Sequence, residues 1–348
     1  MAIAYQTIGS PAEGTATAEA ETAPPLYPLR FEPILKRLLW GGRRLETLLH
    51  KSLASDHHDY AESWEVADHR SDISRVLDGP LAGRSLRDLL RDRPAELLGL
   101  ALGAREQFPL LVKFLDAHQV LSVQVHPDDA CGRRLVNDNG KTEAWVILHA
   151  EPGSLIYAGL RPGVTRERFA QALEDGQVEP LLHRFPAQPG DCILIPAGTV
   201  HAIGAGVVLA EIQQMSDATF RVHDWGRVGA DGRPRPLHIA EALEAIDFEA
   251  GPVEPLVPEV EVIPSGTRER LAYCRYFALE RYRLSGPTRI GSHDRFTLLL
   301  GLGGEARVRH PEGSQLLGLG QTLLLPAAVG PCEVVPHGGA TLLSCVVP

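Results

Sequence analysis

From Leu26 onward the chain is divided into short runs rich in β-branched and aliphatic residues, each ended by Gly, Pro or Asp. Runs of this length with this punctuation are typical of β-strands joined by tight turns. Three stretches carry a helical period instead, at residues 85–98, 165–173 and 236–246. In the first of these, Ser85 is a candidate N-cap and Pro94 should bend or split the helix. The sequence therefore predicts a mainly β protein with a few helical additions.

One strand motif occurs twice, 130 residues apart. Residues 190–196 read GDCILIP and residues 320–326 read GQTLLLP. Glycine suits a tight turn, three aliphatic residues suit a buried strand, and proline ends the ladder of hydrogen bonds. The two copies therefore predict two related β-barrels. Only the first copy is followed by a histidine, His201, so chemistry is expected in the first barrel.

The pattern divides the chain into four parts. Residues 1–25 repeat Ala, Thr, Glu and Gly before two prolines, and we expect a disordered tail. Residues 26–250 would form the catalytic domain with helical insertions. Residues 251–264 contain four prolines and several acidic residues, which indicates a linker or an extended crossover. Residues 265–348 would form a second, degenerate barrel domain.

Charge and cysteine content limit the partners that we expect. The formal net charge is -10 and the basic residues are dispersed, which argues against nucleic acid and anionic membranes. No apolar run approaches the roughly 18 residues that a membrane span needs. The five cysteines are widely spaced without a CxxC pair, which favours a reducing, cytoplasmic location. We expect a small-molecule substrate and a monomer or weak homodimer.

Residues 121–126 read LSVQVH and alternate strictly between apolar and polar side chains. A strand here places Ser122, Gln124 and His126 on one face, opposite Leu121 and its apolar neighbours. In many proteins a polar face of this kind belongs to an edge strand, and its side chains are turned to solvent. A polar face inside a small barrel is the alternative, and it requires a ligand.

Two further residues offer metal-binding groups. In the strand-like run after Gly140, Glu143 shares a face with Trp145 and Ile147, where a carboxylate is costly unless it is paired or binds a cation. A salt bridge would also explain Glu143, and a lone histidine such as His201 is often a surface residue. Together the four side chains form a ligand set that suits one divalent ion, with zinc favoured by the nitrogen donors: Gln124, His126, Glu143 and His201.

Three cations accompany this set. Lys113 interrupts an apolar run, Lys141 lies two residues before Glu143, and Arg221 stands in a short polar and aromatic segment. Beside a metal they would suit a phosphate ester and a developing enediolate. Each could equally be a solvated surface charge.

Six strings in this order resemble the type I mannose-6-phosphate isomerases of the short bacterial kind. They span the chain from residue 26 onward and are residues 40–42 (WGG), 62–65 (ESWE), 121–129 (LSVQVHPDD), 140–145 (GKTEAW), 196–203 (PAGTVHAI) and 220–225 (FRVHDW). The resemblance implies two cupin-type (jelly-roll) β-barrels and the same four metal ligands.

The resemblance also implies an activity and roles for the cations. The activity is the interconversion of mannose 6-phosphate and fructose 6-phosphate through a cis-enediol, with zinc as a Lewis acid. Arg221 would be catalytic, Lys141 would take part in proton transfer, and Ser122 with Lys113 would help to seat the phosphate. The identity of the base stays open, with Lys141 as the first candidate. Longer relatives carry further basic residues after the arginine, and that role is not assigned to Arg227.

Two other functions fit parts of the pattern. Two histidines and a carboxylate also hold iron(II) in cupin dioxygenases. A non-catalytic sugar-binding cupin would bind a phosphosugar without exchanging its C2 proton.

Overall fold

The computed structural model describes residues 24–103, 105–229 and 232–348. The expected tail, residues 1–25, lies outside the described residues except for its last two positions. Within the described ranges, no helix is both long enough and apolar enough to cross a bilayer.

The described residues form mostly strands, which confirms the mainly β prediction. The strands are β1 (Ile34–Gly42), β2 (Tyr60–Val66), β3 (Asp68–His69), β4 (Asp72–Ile73), β5 (Leu110–Ala117), β6 (Val123–Val125), β7 (Glu143–Ala150), β8 (Leu155–Leu160), β9 (Leu182–Pro186), β10 (Cys192–Ile195), β11 (His201–Ile203), β12 (Val207–Gln214), β13 (Phe220–His223), β14 (Glu259–Ile263), β15 (Gly266–Tyr273), β16 (Ala278–Leu284), β17 (Thr288–Ile290), β18 (Thr297–His310), β19 (Gly313–Gly318), β20 (Thr322–Leu325) and β21 (Cys332–Val346). The helices are α1 (Arg44–Thr47), α2 (Leu86–Asp92), α3 (Pro94–Leu98), α4 (Asp129–Val136), α5 (Arg166–Glu174) and α6 (Ile239–Ala245).

Three large sheets organise these strands. A six-stranded sheet has the order β1-β2-β5-β12-β7-β10, and a five-stranded sheet has the order β13-β6-β11-β8-β9. The third sheet follows the order β14-β15-β16-β21-β18-β19, with β17 on β21 and β20 on β18. The first two sheets share one buried cluster, to which β7 contributes Trp145 and Ile147 and β11 contributes Ile203. The candidate site lies at this cluster.

The apolar part of β7, inside the six-stranded sheet, is buried on both faces. Along β7, Trp145 and Ile147 pack toward the five-stranded sheet, whereas Ala144 and Val146 belong to a second cluster that also holds Leu298 of the third sheet. Since successive side chains of a strand point to opposite faces, the run AWVI needs apolar residues at every position.

The three helical predictions are confirmed, with shifted ends. Ser85 caps α2 by accepting a hydrogen bond from the backbone of Asp88. The helix stops at residue 92, and α3 then begins at Pro94, whose missing N–H costs nothing in the first turn. Thr165 caps α5 in the same way, while α6 begins three residues later than expected.

The repeated motif forms corresponding strands. Gly190 and Gly320 both have positive φ, at 97° and 75°, before β10 and β20. Such values favour glycine because a Cβ would clash there. The stretch between the sheets, residues 251–264, is extended: Val253 and Leu256 donate backbone hydrogen bonds to Ala158 and Cys192, and its end forms β14.

Candidate active site

Strand pairing brings the four expected metal ligands together. β11 pairs antiparallel with β6 so that His201 lies opposite Gln124, and Glu143 opens β7 in the facing sheet. His126 follows β6 directly. Residues far apart in sequence therefore meet at one point inside the molecule.

The distances at this point are those of a compact cluster. His126 Nε2 lies 3.4 Å from Glu143 Oε2, and His201 Nε2 lies 3.5 Å from Glu143 Oε1. One ligand atom from each of these three residues lies within 4.8 Å of the others. The Gln124 amide nitrogen is 3.4 Å from His201 Nε2. A flip of this amide exchanges its nitrogen and oxygen, so Gln124 can present an oxygen at the same place.

The second ring nitrogen of each histidine is held by the backbone. His126 Nδ1 donates to the Ala218 carbonyl and His201 Nδ1 donates to the Thr199 carbonyl, each at 2.9 Å. A carbonyl only accepts, so the proton resides on Nδ1 and the Nε2 lone pairs face Glu143. Among the described residues, the buried His126 Nε2 has no hydrogen-bond partner, whereas Glu143 Oε2 forms an ion pair with Lys141.

Electrostatics keep these groups in their ligating forms. Burial lowers the pKa of His126 to about 3 and also lowers the pKa of His201. Burial raises the pKa of the Glu143 carboxyl, but Lys141, His126 and His201 together outweigh burial, and the pKa falls well below its usual range. Neutral imidazoles and a carboxylate with buried, facing acceptor atoms are costly unless a cation lies between them. The donor set therefore fits a divalent metal.

A cavity of about 330 Å³ opens beside the ligands. It is lined by six of the residues singled out from the sequence: Lys113, Ser122, Gln124, Lys141, Glu143 and Arg221. The wall also contains Trp40, Glu62, Trp145, Glu211, Asp217, Thr219 and Arg235. The cavity thus brings together the proton-transfer and phosphate candidates and two of the four expected metal ligands, Gln124 and Glu143.

Lys141 and Arg221 approach the cavity from opposite sheets. Lys141 Nζ lies 3.2 Å from Glu143 Oε2 and is almost fully buried. Arg221 lies opposite Gln124 in the pairing of β13 with β6, and its Nε donates to Ser122 Oγ at 3.2 Å. Burial and the nearby Arg235 lower the pKa of Arg221. A base candidate and a guanidinium therefore face the same volume.

Lys113 is balanced by two carboxylates. Its Nζ lies 3.5 Å from Glu62 Oε2 and 3.4 Å from Glu211 Oε1. Burial lowers the pKa of Lys113, but these carboxylates outweigh burial and raise it. Burial raises the pKa of Glu211 to about 7, and Trp145 Nε1 donates to its second oxygen. The phosphate role of Lys113 stays a prediction, because a phosphate would compete with both acids.

Three charged residues of the cavity wall were not predicted from the sequence. Glu211 lies in the apolar strand β12, and its carboxylate there is the same kind of signal as Glu143. Glu62 lies within a string that carried the resemblance. Arg235 lies in a loop with several Pro and Arg residues, where nothing in the sequence distinguishes it.

The expected alternation at residues 121–126 needs one correction. β6 covers only Val123–Val125, and both valines pack outward with Phe169 of α5. Leu121 instead belongs to the inner cluster and lines the cavity. The alternation fails there because Leu121 precedes the strand, so its direction is not set by the pleat.

Comparisons with known proteins point to one family. Residues 29–150 match the family described as "Phosphomannose isomerase type I, catalytic domain". A protein named probable mannose-6-phosphate isomerase GmuF, from Bacillus subtilis (strain 168), is 37% identical over 307 residues, which cover 87% of this chain and 95% of that protein. Mannose-6-phosphate isomerase ManA of the same organism is 35% identical over 306 residues, with 87% and 94% covered.

Solved structures agree with these relatives. The mannose 6-phosphate isomerase from Bacillus subtilis superimposes with a TM-score of 0.83 at 28% identity, covering 91% of this chain and 99% of that one. A mutant of phosphomannose isomerase from Salmonella typhimurium gives a TM-score of 0.74 at 21% identity, covering 92% and 100%. At that identity the second likeness supports the fold alone.

Proposed function

This chain belongs to the type I phosphomannose isomerases, and from that premise we propose that it interconverts mannose 6-phosphate and fructose 6-phosphate in the cavity described above. Its cupin-type, mainly β fold agrees with the solved relatives. The observation that carries the proposal is a cavity, lined by Lys141 and Arg221, that opens beside the buried cluster of His126, Glu143 and His201.

We propose one divalent ion per chain, with zinc as the first candidate. It would be held by Gln124, His126, Glu143 and His201, and the Nε2 atoms of both histidines lie 3.4 and 3.5 Å from the oxygens of Glu143. When bound, zinc supplies Lewis-acid polarisation of the sugar's oxygen atoms. The backbone carbonyls of Thr199 and Ala218 accept hydrogen bonds from the Nδ1 atoms and fix the orientation of both imidazole rings.

The chain's own residues would move the proton. We propose that Lys141, reacting as the free amine, takes the proton from C2 of the open-chain aldose, so that the C–H electron pair forms the C1–C2 double bond of the enediol. Lys141, whose proton can exchange with solvent in the meantime, then returns a proton to C1, while the proton of the C2 hydroxyl passes to O1 and the C2 oxygen becomes the ketone. Arg221, which lines the same cavity, would face the negative charge that develops between these steps.

The phosphate end would lie near Ser122. Its hydroxyl accepts from Arg221 Nε, and Arg235 lines the same cavity. Lys113 remains a candidate contact, provided that the phosphate displaces one of its two carboxylate partners. Charged donors of this kind are the usual partners of a phosphate ester.

A coupled assay on mannose 6-phosphate tests the function. Turnover should be lost after chelation and return when zinc is added back. Phosphosugar binding without exchange of the C2 proton into deuterated solvent would instead support a sugar-binding protein. Stoichiometric iron with oxygen uptake would support a dioxygenase.

Location and assembly follow from weaker observations. We propose a cytoplasmic enzyme, supported by five cysteines that are all free. We keep the proposal of a monomer or weak homodimer, for which sedimentation at several protein concentrations is the direct measurement.

A further inference from the structure

Asp224 holds two arginines with one carboxylate. It follows β13 directly and is largely buried. Arg235 Nε donates to its Oδ2 at 2.7 Å and Arg235 Nη2 donates to its Oδ1. Arg227 donates to the same Oδ1 through Nε at 3.2 Å and through Nη2. A planar guanidinium paired in this bidentate way has little freedom to rotate.

Both arginines also make contacts near Ser122, where we place the phosphate of the substrate. Arg235 lines the cavity beside Arg221 and Ser122, and its charge contributes to the lowered pKa of Arg221, after burial. Arg227 uses its remaining Nη1 to donate to the Val120 carbonyl at 2.6 Å. The carboxylate thus connects a cation inside the cavity to the segment that precedes Ser122.

Trp225, which lies between Asp224 and Arg227 in the sequence, also contacts the segment that precedes Ser122. Trp225 Nε1 donates to the Leu121 carbonyl at 2.6 Å, which fixes the backbone just before Ser122. Trp225 has a φ of 56°, in the left-handed region that a bulky side chain rarely adopts. Strain of this kind persists where the surrounding contacts impose it, and it is concentrated at functional sites.

We propose that Asp224 is a positioning residue that aligns Arg235 directly, and Ser122 through Arg227, so that both face the substrate phosphate before it binds. The proposal rests on the proposed function for the identity of the ligand. Three guanidinium groups around one carboxylate leave two positive charges in this cluster, formed by Arg221, Arg227 and Arg235 with Asp224. That surplus matches a phosphate monoester, which carries about two negative charges near neutral pH.

The first test is Asp224→Asn, which keeps the shape and removes the charge. We expect KM for mannose 6-phosphate to rise about tenfold to a hundredfold, the range expected when a charge-assisted hydrogen bond is lost. kcat should change much less, and the zinc content should not change, because Asp224 contacts none of the metal ligands. An unchanged KM would overturn the proposal.

Asp92→Asn is the matched control. Asp92 also accepts from two arginines, Arg84 and Arg91, but it lies on the surface at the end of α2. It should leave KM unaltered. A KM change equal to that of Asp224→Asn would mean that any lost arginine pair perturbs the enzyme, and the proposal would fall.

Inorganic phosphate separates this proposal from the proposed function. Its dissociation constant, measured by calorimetry without turnover, should rise in Asp224→Asn by a factor similar to that for KM. A weaker phosphate complex in a chain without isomerase activity would leave the positioning role intact and refute the function. Unchanged phosphate affinity in an active enzyme would refute the positioning role alone.

A double-mutant cycle identifies the path of the effect. If Asp224 acts partly through Arg235, then Asp224→Asn should weaken phosphate binding less in an Arg235→Met background than in the unmodified enzyme, leaving only the part that acts through Arg227. Additive losses would show that Asp224 acts without Arg235. If Asp224→Asn does not fold, Asp224→Glu serves in its place, because it keeps the charge but displaces the carboxylate; unaltered phosphate affinity there would also refute the role.

Discussion

Two histidines in this chain each use one ring nitrogen on a backbone carbonyl and turn the other toward the same carboxylate. Without a cation between them, His201 Nε2 and Glu143 Oε1 are two acceptors in contact, which is unfavourable in a buried place. The arrangement therefore supports the proposed metal site. Loss of one of these imidazoles should therefore weaken metal binding.

His201→Ala should remove the metal. We expect zinc affinity to fall by more than the roughly tenfold to hundredfold that loss of an outer-shell contact costs, with turnover lost as well. Atomic emission after dialysis measures the retained zinc. Arg221→Ala should keep zinc and lose turnover, and His183→Ala, outside the cavity, should keep both. Full zinc occupancy in His201→Ala would refute the ligand set.

Lys141→Met should impair proton transfer while the metal stays bound. Removal of a general base typically slows the chemical step by about 10² to 10⁴-fold. The rate of C2 proton exchange with deuterated water should fall together with kcat. Lys36→Met is the control, since Lys36 pairs with Asp72 away from the cavity wall. If exchange persists at the normal rate, another group, such as Glu211, is the base.

The site residues that could be predicted from the sequence are charged residues whose neighbours in the chain are apolar, because a buried charge is costly there. Glu143 stood out because alternation placed it beside Trp145 on a buried face. Lys113 stood out in its apolar run, but its partners Glu62 and Glu211 could not be derived, since they come from strands paired on either side of β5. Arg235 gave no signal because its place in the cavity depends on Asp224, across a loop.

At the scale of elements, the start of α2 provides a measurable case. Ser85 Oγ accepts the Asp88 backbone N–H, one of the four donors that a helix leaves unpaired at its start. Ser85→Ala should lower the free energy of unfolding by about 1 kcal/mol, measured by urea denaturation. Ser85→Thr keeps the hydroxyl and should recover most of the loss. Equal losses in both variants would show that packing around Ser85 dominates.

The sequence predicted whether a segment forms a helix or a strand where its own residues decide this. It did not predict the residue at which each strand ends. The cap at Ser85 and the break before Pro94 follow from the residues themselves. The length of β6 does not, because a strand continues only while a neighbour pairs with it. The pairing of β6 with β11 and β13 covers residues 123–125, and this tertiary limit is why Leu121 was misplaced.

At the scale of the whole molecule, the repeated motif predicted two β units but not how they are joined. Val146 and Ala210 of the six-stranded sheet pack in one buried cluster with Leu298 and Leu343 of the third sheet. A strand buried on both faces looks the same in sequence whichever sheet covers it. We propose that residues 26–250 and 265–348 are two structural units stabilised by this shared core.

The contact between Phe108 and Phe296 tests that coupling. The two rings are fully buried, with centroids 4.7 Å apart, and one comes from each unit. Phe296→Ala should destabilise the protein by about 3–5 kcal/mol through the cavity it creates. Because the core is shared, fluorescence and circular dichroism should report a single unfolding transition at lower denaturant, with zinc still bound to the native protein.

Val262→Ala is the control for this experiment, since Val262 lies on the edge strand β14 with 84% of its surface exposed. It should change stability by no more than about 0.5 kcal/mol. Two separate transitions in Phe296→Ala, with the metal released only in the later one, would contradict the shared core. The third sheet would then unfold independently, and the six-stranded sheet would have to remain folded with the face around Val146 open to water, a state that its apolar side chains oppose.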